Sequence, residues 1–199
     1  MAIKFQYNKT ALQQLEKQLK VRVRALPTIK NKESALRMEV KKAKDEMVHV
    51  ETQYRKLISE YNHMVMLWGE FDLSLVEVKD VHLGIKKIAG VKTPVLGKID
   101  FYTAKFSIFN KPKWYLDGIE LVKKIGSLGI EKEVFNRKME LLDKARKKTT
   151  QKVNLFEKVQ IPGYEDAIRK VKRFMEDEDN LSKSAQKIVK NRQQQEVVK

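Results

Sequence analysis

LRMEVKKAKDEMVHVETQYRKLISEY (residues 36–61) predicts a long helix with one apolar stripe. Its apolar residues return at alternating steps of four and three, and the same spacing continues beyond it. The positions are Leu36, Val40, Ala43, Met47, Val50, Tyr54, Leu57, Tyr61, Met64, Trp68, Phe71 and Leu75. A stripe on a mostly charged background predicts an amphipathic helix from about residue 28 to 80. Because the repeat is 3.5 residues, the helix requires a partner helix in a left-handed coiled coil.

The stripe continues upstream of this segment. Asn8 or Thr10 is a plausible N-cap for that earlier part of the helix. Pro27 interrupts the pattern, since a proline inside a helix removes one hydrogen bond and crowds the carbonyl four residues before it. We therefore expect a kink or a short break near Ala25 to Thr28. The upstream stripe consists of Leu12, Leu15, Leu19, Val23 and Leu26.

The middle of the chain has a different composition. Glycine and proline recur between Gly84 and Pro112, and the segment KIDFYTAKFSIF (98–109) is rich in aromatic and β-branched residues. This composition predicts two strands, near 86–93 and 98–109, that turn through TPVLG (93–97). An isolated two-stranded ribbon is marginally stable in water, so it should pack on a helix or on another subunit. Trp114 and Tyr115 are candidates for that contact.

In the C-terminal third, a helical stripe appears on both sides of Pro162. The residues that follow it are too few and too polar to build a separate core. We therefore predict a helix that bends at Gln160 to Tyr164, resumes, and lies antiparallel to the N-terminal helix. The stripe comprises Val134, Leu141, Leu142, Ala145, Val153, Phe156 and Val159, and then Ile168, Val171, Met175, Leu181, Ala185 and Ile188.

The predicted fold class is mainly α: a long antiparallel two-helix coiled coil formed by the N- and C-terminal segments, with a small central β-hairpin region. Residues 1–80 form the first long helix, 81–118 the hairpin region, and 119–199 the second long helix. The helices are kinked near Pro27 and Pro162. We expect the three segments to form one elongated structural unit.

Charge and composition limit the classes of function. The net charge of +16, with 34% charged residues, attracts nucleic acid, anionic lipid or an acidic protein surface. Acidic residues are interleaved with the basic ones, which favours solvated helix faces. The absence of cysteine excludes disulfides, a cysteine-ligated zinc site and a thiol nucleophile. It also favours a reducing compartment. No apolar run approaches about 20 residues, so a soluble chain is expected.

An enzyme is not favoured by these residues. His49, His63 and His82 are too far apart in sequence for a helical metal motif. GIKKIAGVKT (84–93) lacks the spacing of a phosphate-binding loop. We therefore predict no catalytic residue, no metal and no cofactor. A basic coiled coil that binds nucleic acid, or acts as a scaffold, remains the alternative function.

Three segments in order resemble one known family. KVNLFEKVQIP (152–162) resembles the C-terminal helix of the D subunit of the V-type and A-type ATPases. IKNKESAL (29–36) is similar to a segment of that family's first helix, and IAGVKTPVL (88–96) to its hairpin turn. The matching residues are Lys30, Lys32 and Leu36; Gly90, Val91 and Pro94; and Val153, Asn154, Leu155, Glu157, Val159, Ile161 and Pro162.

The resemblance implies a central-stalk rotor subunit without an active site. Such a subunit transmits torque between the catalytic ring of A and B subunits and the membrane ring that translocates ions. Its other implied partners are the F subunit and the protein that links the shaft to the membrane ring, with no nucleic acid and no small-molecule substrate. The implied location is the cytoplasmic face of the membrane, reached only through the complex. The net charge of +16 adds the hypothesis that basic residues such as Lys147 and Lys148 face acidic loops of the ring.

Overall fold

The computed structural model describes residues 4–62, 68–107, 109 and 111–197. Helix α1 runs over Lys9–Glu60, and a 3₁₀ turn, Leu73–Leu75, precedes strand β1, Val76–Ile88. Strand β2 runs over Val91–Thr103 and helix α2 over Tyr115–Leu155. A π-helical turn, Phe156–Gln160, joins α2 to helix α3, Ile161–Val197. The predicted fold class, long N- and C-terminal helices around a small antiparallel hairpin, is confirmed.

The chain divides into two compact units, and the division falls inside the helices. Unit 1 contains the described residues up to Asn31 and those from Thr149 onwards, and unit 2 is Lys32–Lys148. The expectation of a single elongated structural unit stays a prediction.

In unit 1 the start of α1 packs against α3. Leu15, Ala167, Ile168 and Val171 are buried together there. Glu16 pairs with Lys172 at 3.1 Å, and Lys30 pairs with Glu157 at 2.7 Å. As the residue number of the partner in α1 rises, the residue number of its partner in the C-terminal segment falls. The two segments therefore run antiparallel. The partly buried residues around this core are Phe5, Leu12, Leu19, Tyr164 and Met175.

In unit 2 the rest of α1 packs antiparallel against α2. Leu36, Ala43 and Leu142 are fully buried in one cluster. Lys138 pairs with Glu46 at 2.8 Å and Lys132 pairs with Glu51 at 3.4 Å, again in descending order. The seam predicted from residues 36–57 is therefore the seam that the helices use.

The beginning of α1 has the predicted cap. The backbone N–H of Ala11 donates to Oδ1 of Asn8 at 2.6 Å, which satisfies one of the free donors of the first turn. The chain stays helical through Pro27, so the alternative of a short break is wrong. A bend at Pro27 stays a prediction.

The predicted end of the first helix, near residue 80, is wrong. The helix ends at Glu60, and residues 73–80 form the 3₁₀ turn and the start of β1. The Asp72 carboxylate accepts the backbone N–H of Ser74 at 3.1 Å, which stabilises the turn. Trp68, Phe71 and Leu75 keep the helical spacing but pack in a local cluster outside α1. Met64 of the predicted seam, like His63, lies outside the described residues.

The hairpin exists, but its predicted turn at residues 93–97 is wrong. Ile88 pairs with Val91, so the chain reverses through Ala89 and Gly90. These two residues have φ values of 48° and 81°. Positive φ at both central residues is the requirement of a type I′ turn, whose twist matches that of the strands. Pro94 and Gly97, taken for turn residues, lie within β2.

The helix also resumes around Pro162, as predicted. The backbone N–H of Ile161 donates to the carbonyl of Phe156, five residues back, so the turn before the proline is π-helical. Such a turn is a known way to accommodate a proline, which lacks a donor and crowds the preceding turn. The bend itself stays a prediction.

Trp114 and Tyr115 support the hairpin region as expected. Tyr115 is buried with Phe71, Leu75 and Ile119, and its hydroxyl donates to the backbone carbonyl of Glu70. Trp114 and Val76 pack at the edge of this cluster. The base of β1 is thereby fixed to the first turns of α2.

Candidate interaction surfaces on the paired helices

Within unit 1, Lys30 of the first-helix motif lies opposite Glu157 of the motif at residues 152–162. Nζ of Lys30 donates to Oε1 of Glu157 at 2.7 Å, and both side chains are about half exposed. Two motif residues predicted from sequence are thus in direct contact. The pair links the two helices, but because it is open to solvent we expect it to contribute little to the free energy of unfolding.

The other motif residues of unit 1 divide between a half-buried and an exposed group. Val153 and Ile161 are half-buried, whereas Asn154 and Pro162 are exposed. Leu155 and Val159 leave 40% and 41% of their surface accessible. Leu155 and Val159 are four residues apart, so they lie on the same, exposed side of the helical segment.

Sequence reasoning missed a clamp around Arg22. Its Nε donates to Oε1 of Gln160, in the π-helical turn, at 2.8 Å. Its guanidinium lies 4.4 Å from the centre of the Tyr164 ring, a cation–π contact. A terminal nitrogen also donates to Oε1 of Gln18 at 2.7 Å. The sequence around Arg22 is rich in basic residues, so nothing in it distinguished this arginine from its neighbours.

The motif residues of unit 2 come together where the hairpin tip meets α1. Leu36 is fully buried, and Val91 packs against its cluster. A Cβ placed on Gly90 would lie 3.4 Å from Nζ of Lys32. Pro94 lies further along β2, opposite Ile85. Lys32, Leu36, Gly90 and Val91 are therefore neighbours, and they join the hairpin to the helix.

The C-terminal part of α3 is a separate surface. Every side chain from Glu176 to Gln194 is exposed. The helical stripe continues there, and Leu181 leaves 72% of its surface accessible. Ile188 and Val189 are exposed as well. This segment therefore carries apolar side chains that are exposed among the described residues of unit 1.

Two carboxylates of unit 2 are held by basic side chains. Hydrogen bonds from Arg146 first, and then from Lys147, lower the pKa of Asp143 below its ordinary value. Hydrogen bonds from Arg55 first, and then from Lys132, lower the pKa of Glu51. Both carboxylates stay ionised at neutral pH, which keeps Lys147 and Lys132 in place. Lys148 is exposed and has no carboxylate within 4 Å in the described part of the chain.

His49 and His82 have local partners. His49 hydrogen-bonds to Gln53 one turn away, and His82 lies 3.0 Å from Oδ2 of Asp100 on the neighbouring strand. Among the described residues, no group of three His, Cys, Asp or Glu side chains is arranged to hold a metal ion. In the same residues, no helix has an apolar stretch long enough to cross a bilayer.

Comparison with known proteins gives matches along nearly the whole chain. Residues 11–191 match the model of a family described as the D subunit of ATP synthase. A protein of Borreliella burgdorferi named as the D subunit of a V-type ATP synthase is 29% identical over 191 residues, which cover 94% of each chain. A protein of Chlamydia pneumoniae with the same name is 25% identical over 172 residues, covering 82% of this chain and 81% of the relative. The matched regions include both helical segments and the hairpin.

Proposed function

Since the chain belongs to the family of ATP synthase D subunits, we propose that it is the central-stalk rotor subunit of a V-type ATPase complex. It would transmit torque between the catalytic ring of A and B subunits and the membrane ring that translocates ions. The observation that carries this proposal is the antiparallel helix pairing, present in unit 1 and again in unit 2.

Paired helices suit the transmission of torque. A single helix is marginally stable in water, whereas two helices that bury a common seam resist twisting and bending together. Ion pairs also connect the helices, such as Lys30–Glu157 in unit 1 and Lys138–Glu46 in unit 2. The role proposed here requires stiffness and no catalytic group, so we propose a non-catalytic subunit.

The exposed surfaces suggest where partners bind. The segment of α3 from Glu176 to Gln194, with exposed Leu181 and Ile188, is the proposed contact with the A and B subunits. The hairpin-bearing unit 2 is the proposed region for the F subunit and for the protein that links the shaft to the membrane ring. The chain would then act on the cytoplasmic face of the membrane and reach the membrane only through the complex.

Rotation of the chain inside the complex tests the proposal. The chain contains no cysteine, so Lys79→Cys on the exposed part of β1 provides the single cysteine of this chain for attaching a gold particle, in a complex whose other subunits have had their accessible cysteines replaced. With the catalytic subunits fixed to a surface, ATP should drive rotation of the particle in one direction. A non-hydrolysable ATP analogue should stop it.

The control complex carries the particle on one of the catalytic subunits, where no rotation is expected. Complexes that hydrolyse ATP while the particle on Lys79→Cys stays still would contradict the rotor function. The isolated chain should show no ATP hydrolysis above background.

A further inference from the structure

The outer face of the hairpin near its turn carries an apolar patch. Residues paired directly across antiparallel strands project to the same face, and successive residues alternate between faces. Ile88 pairs with Val91, and both pack against the buried cluster around Leu36. The pairs Leu83–Leu96 and Ile85–Pro94 therefore project to the opposite face. We call these four residues the outer hairpin patch.

The patch is open to solvent. Ile85 leaves 75% of its surface accessible and Leu83 leaves 55%. Leu96 and Pro94 are only partly covered. None of these four apolar side chains belongs to the cluster around Leu36, which Ile88 and Val91 contact from the other face of the ribbon. Contiguous exposed apolar residues of this kind mark interaction sites.

Two lysines lie at the turn end of the same face. Lys87 pairs directly with Lys92, two positions beyond the Ile85–Pro94 pair. Like charges directly opposite each other destabilise a strand pair. Among the described residues, neither ammonium group has a carboxylate within 4 Å. An anionic group supplied by a partner would remove this repulsion.

The strand edges are poor alternatives for binding. The register is irregular between Val78 and Asp80 and again between Val81 and Leu83, which indicates bulges. Pro94 removes a backbone donor from β2. Bulges and proline are the features that protect an edge from an added strand. A partner is therefore expected to cover the face and not to extend the sheet.

We propose that the outer hairpin patch docks a protein surface with an apolar centre and with carboxylates at the end that meets Lys87 and Lys92. The tip is anchored on the helices through Ile88 and Val91, so it presents a fixed shape to that partner. A second copy of this chain would bring lysines against lysines on a chain of net charge +16. An anionic lipid surface would be expected to contact basic residues around the whole patch. Lys87 and Lys92 lie at one end of the patch, which favours a protein partner.

The test is isothermal titration calorimetry, which measures the affinity of the full chain for each separately purified cognate protein of the complex. Ile85→Asp should weaken binding of one of these proteins at least tenfold, and Ile85→Ser should weaken it in the same direction. Lys87→Glu should weaken it several-fold. Lys86→Glu is the matched control, because it makes the same charge change one residue away, on the face that carries Thr93. The affinity of this control should be unchanged.

Thermal unfolding of each variant shows whether the fold is retained, and the substituted side chains are exposed enough for this to be expected. The proposal is overturned if none of the proteins of the complex binds both Ile85 variants more weakly than it binds the unsubstituted chain. It is equally overturned if Lys86→Glu weakens binding as much as Lys87→Glu does. It is also overturned if the Ile85-dependent binding is to vesicles of phosphatidylcholine and phosphatidylglycerol, or to a second copy in sedimentation. None of these outcomes decides whether the labelled complex rotates. The docking proposal and the rotor proposal are therefore tested separately.

Discussion

Leu36 and Leu155 belong to the same set of family-like motifs, yet their surroundings are opposite. Leu36 is fully buried against Ala43 and Leu142 in unit 2. Leu155 is substantially exposed in unit 1. A motif residue can therefore either pack in the core or lie on the surface, where a partner can contact it. Its burial in the structure distinguishes the two cases. The apolar spacing predicted Leu36 as a seam residue, while nothing in the sequence showed that Leu155 faces outward.

Substitution of these two leucines by alanine should separate stability from binding. Leu36→Ala should lower the free energy of unfolding by about 2–5 kcal/mol, because it removes buried methyl groups and leaves a cavity. Leu155→Ala should lower it by less than about 1 kcal/mol, since its side chain is already in contact with water. Denaturant titration of both variants measures the difference. Equal losses of stability would contradict the assignment of Leu155 to an exposed surface.

Gly90 shows why the hairpin turn was misplaced. Sequence patterns locate tight hairpin turns by Asn-Gly or Asp-Gly, and here the turn is Ala89-Gly90. Ala89 adopts a positive φ although alanine rarely does so. The glycine and proline in TPVLG gave a stronger local signal, but they lie in β2. Strand pairing and the contact of the tip with α1 selected the turn, and a local pattern does not contain that information.

A methyl group at Gly90 should therefore be costly. Gly90→Ala should destabilise the protein by about 1–2 kcal/mol, because its φ of 81° is unfavourable for a residue with a Cβ. Gly84→Ala is the control, since a Cβ there would meet the carbonyl of Val95 at an ordinary 3.7 Å. Its effect should stay within about 0.5 kcal/mol. Urea unfolding curves compare the two, and a neutral Gly90→Ala would refute the strained turn.

At the scale of elements, helix existence was predictable and helix ends were not. The apolar stripe identified both helical segments and their antiparallel pairing, because burying one stripe requires another. It also continued through Trp68, Phe71 and Leu75, where the chain has left α1. Aromatic residues fill a local cluster as readily as a helical seam, so spacing alone did not show the change. The β-branched residues of β1 were the better signal, since they alternate with polar ones.

Pro27 and Pro162 are both followed by helix, but only one has a visible accommodation. The π-helical turn precedes Pro162, whereas α1 continues as α-helix through Pro27. The clash of the proline ring with the preceding turn is then relieved by a bend or retained as strain. Pro27→Ala should raise the free energy of unfolding by up to about 3 kcal/mol. Pro162→Ala should raise it less, and guanidinium titration ranks them. A larger gain at Pro162 would contradict this explanation.

For the whole molecule, the sequence predicted the family and the paired helices, while the exposed surfaces required the structure. The seam and the three motif segments depend on residue spacing, which a sequence contains. The outer hairpin patch and the exposed segment of α3 depend on which residues lack neighbours in space. Net charge gave only the sign of an expected partner. The structure adds that Lys147 is held by Asp143 and that Lys148 has no such partner among the described residues.

Lys147 and Lys148 give a test of the basic surface of α2. If the chain, with its net charge of +16, is the proposed rotor, exposed lysines that face acidic loops would speed its assembly with the A and B subunits, and salt would screen this effect. Lys148→Glu should slow this association, and the double variant with Lys147→Glu should slow it further. Stopped-flow association at low and high salt measures the effect. Lys79→Glu with Lys86→Glu on the hairpin makes the same change in net charge and should have a smaller effect. If both double variants slow association equally, the attraction comes from total charge alone, and these two lysines have no specific contact with the ring.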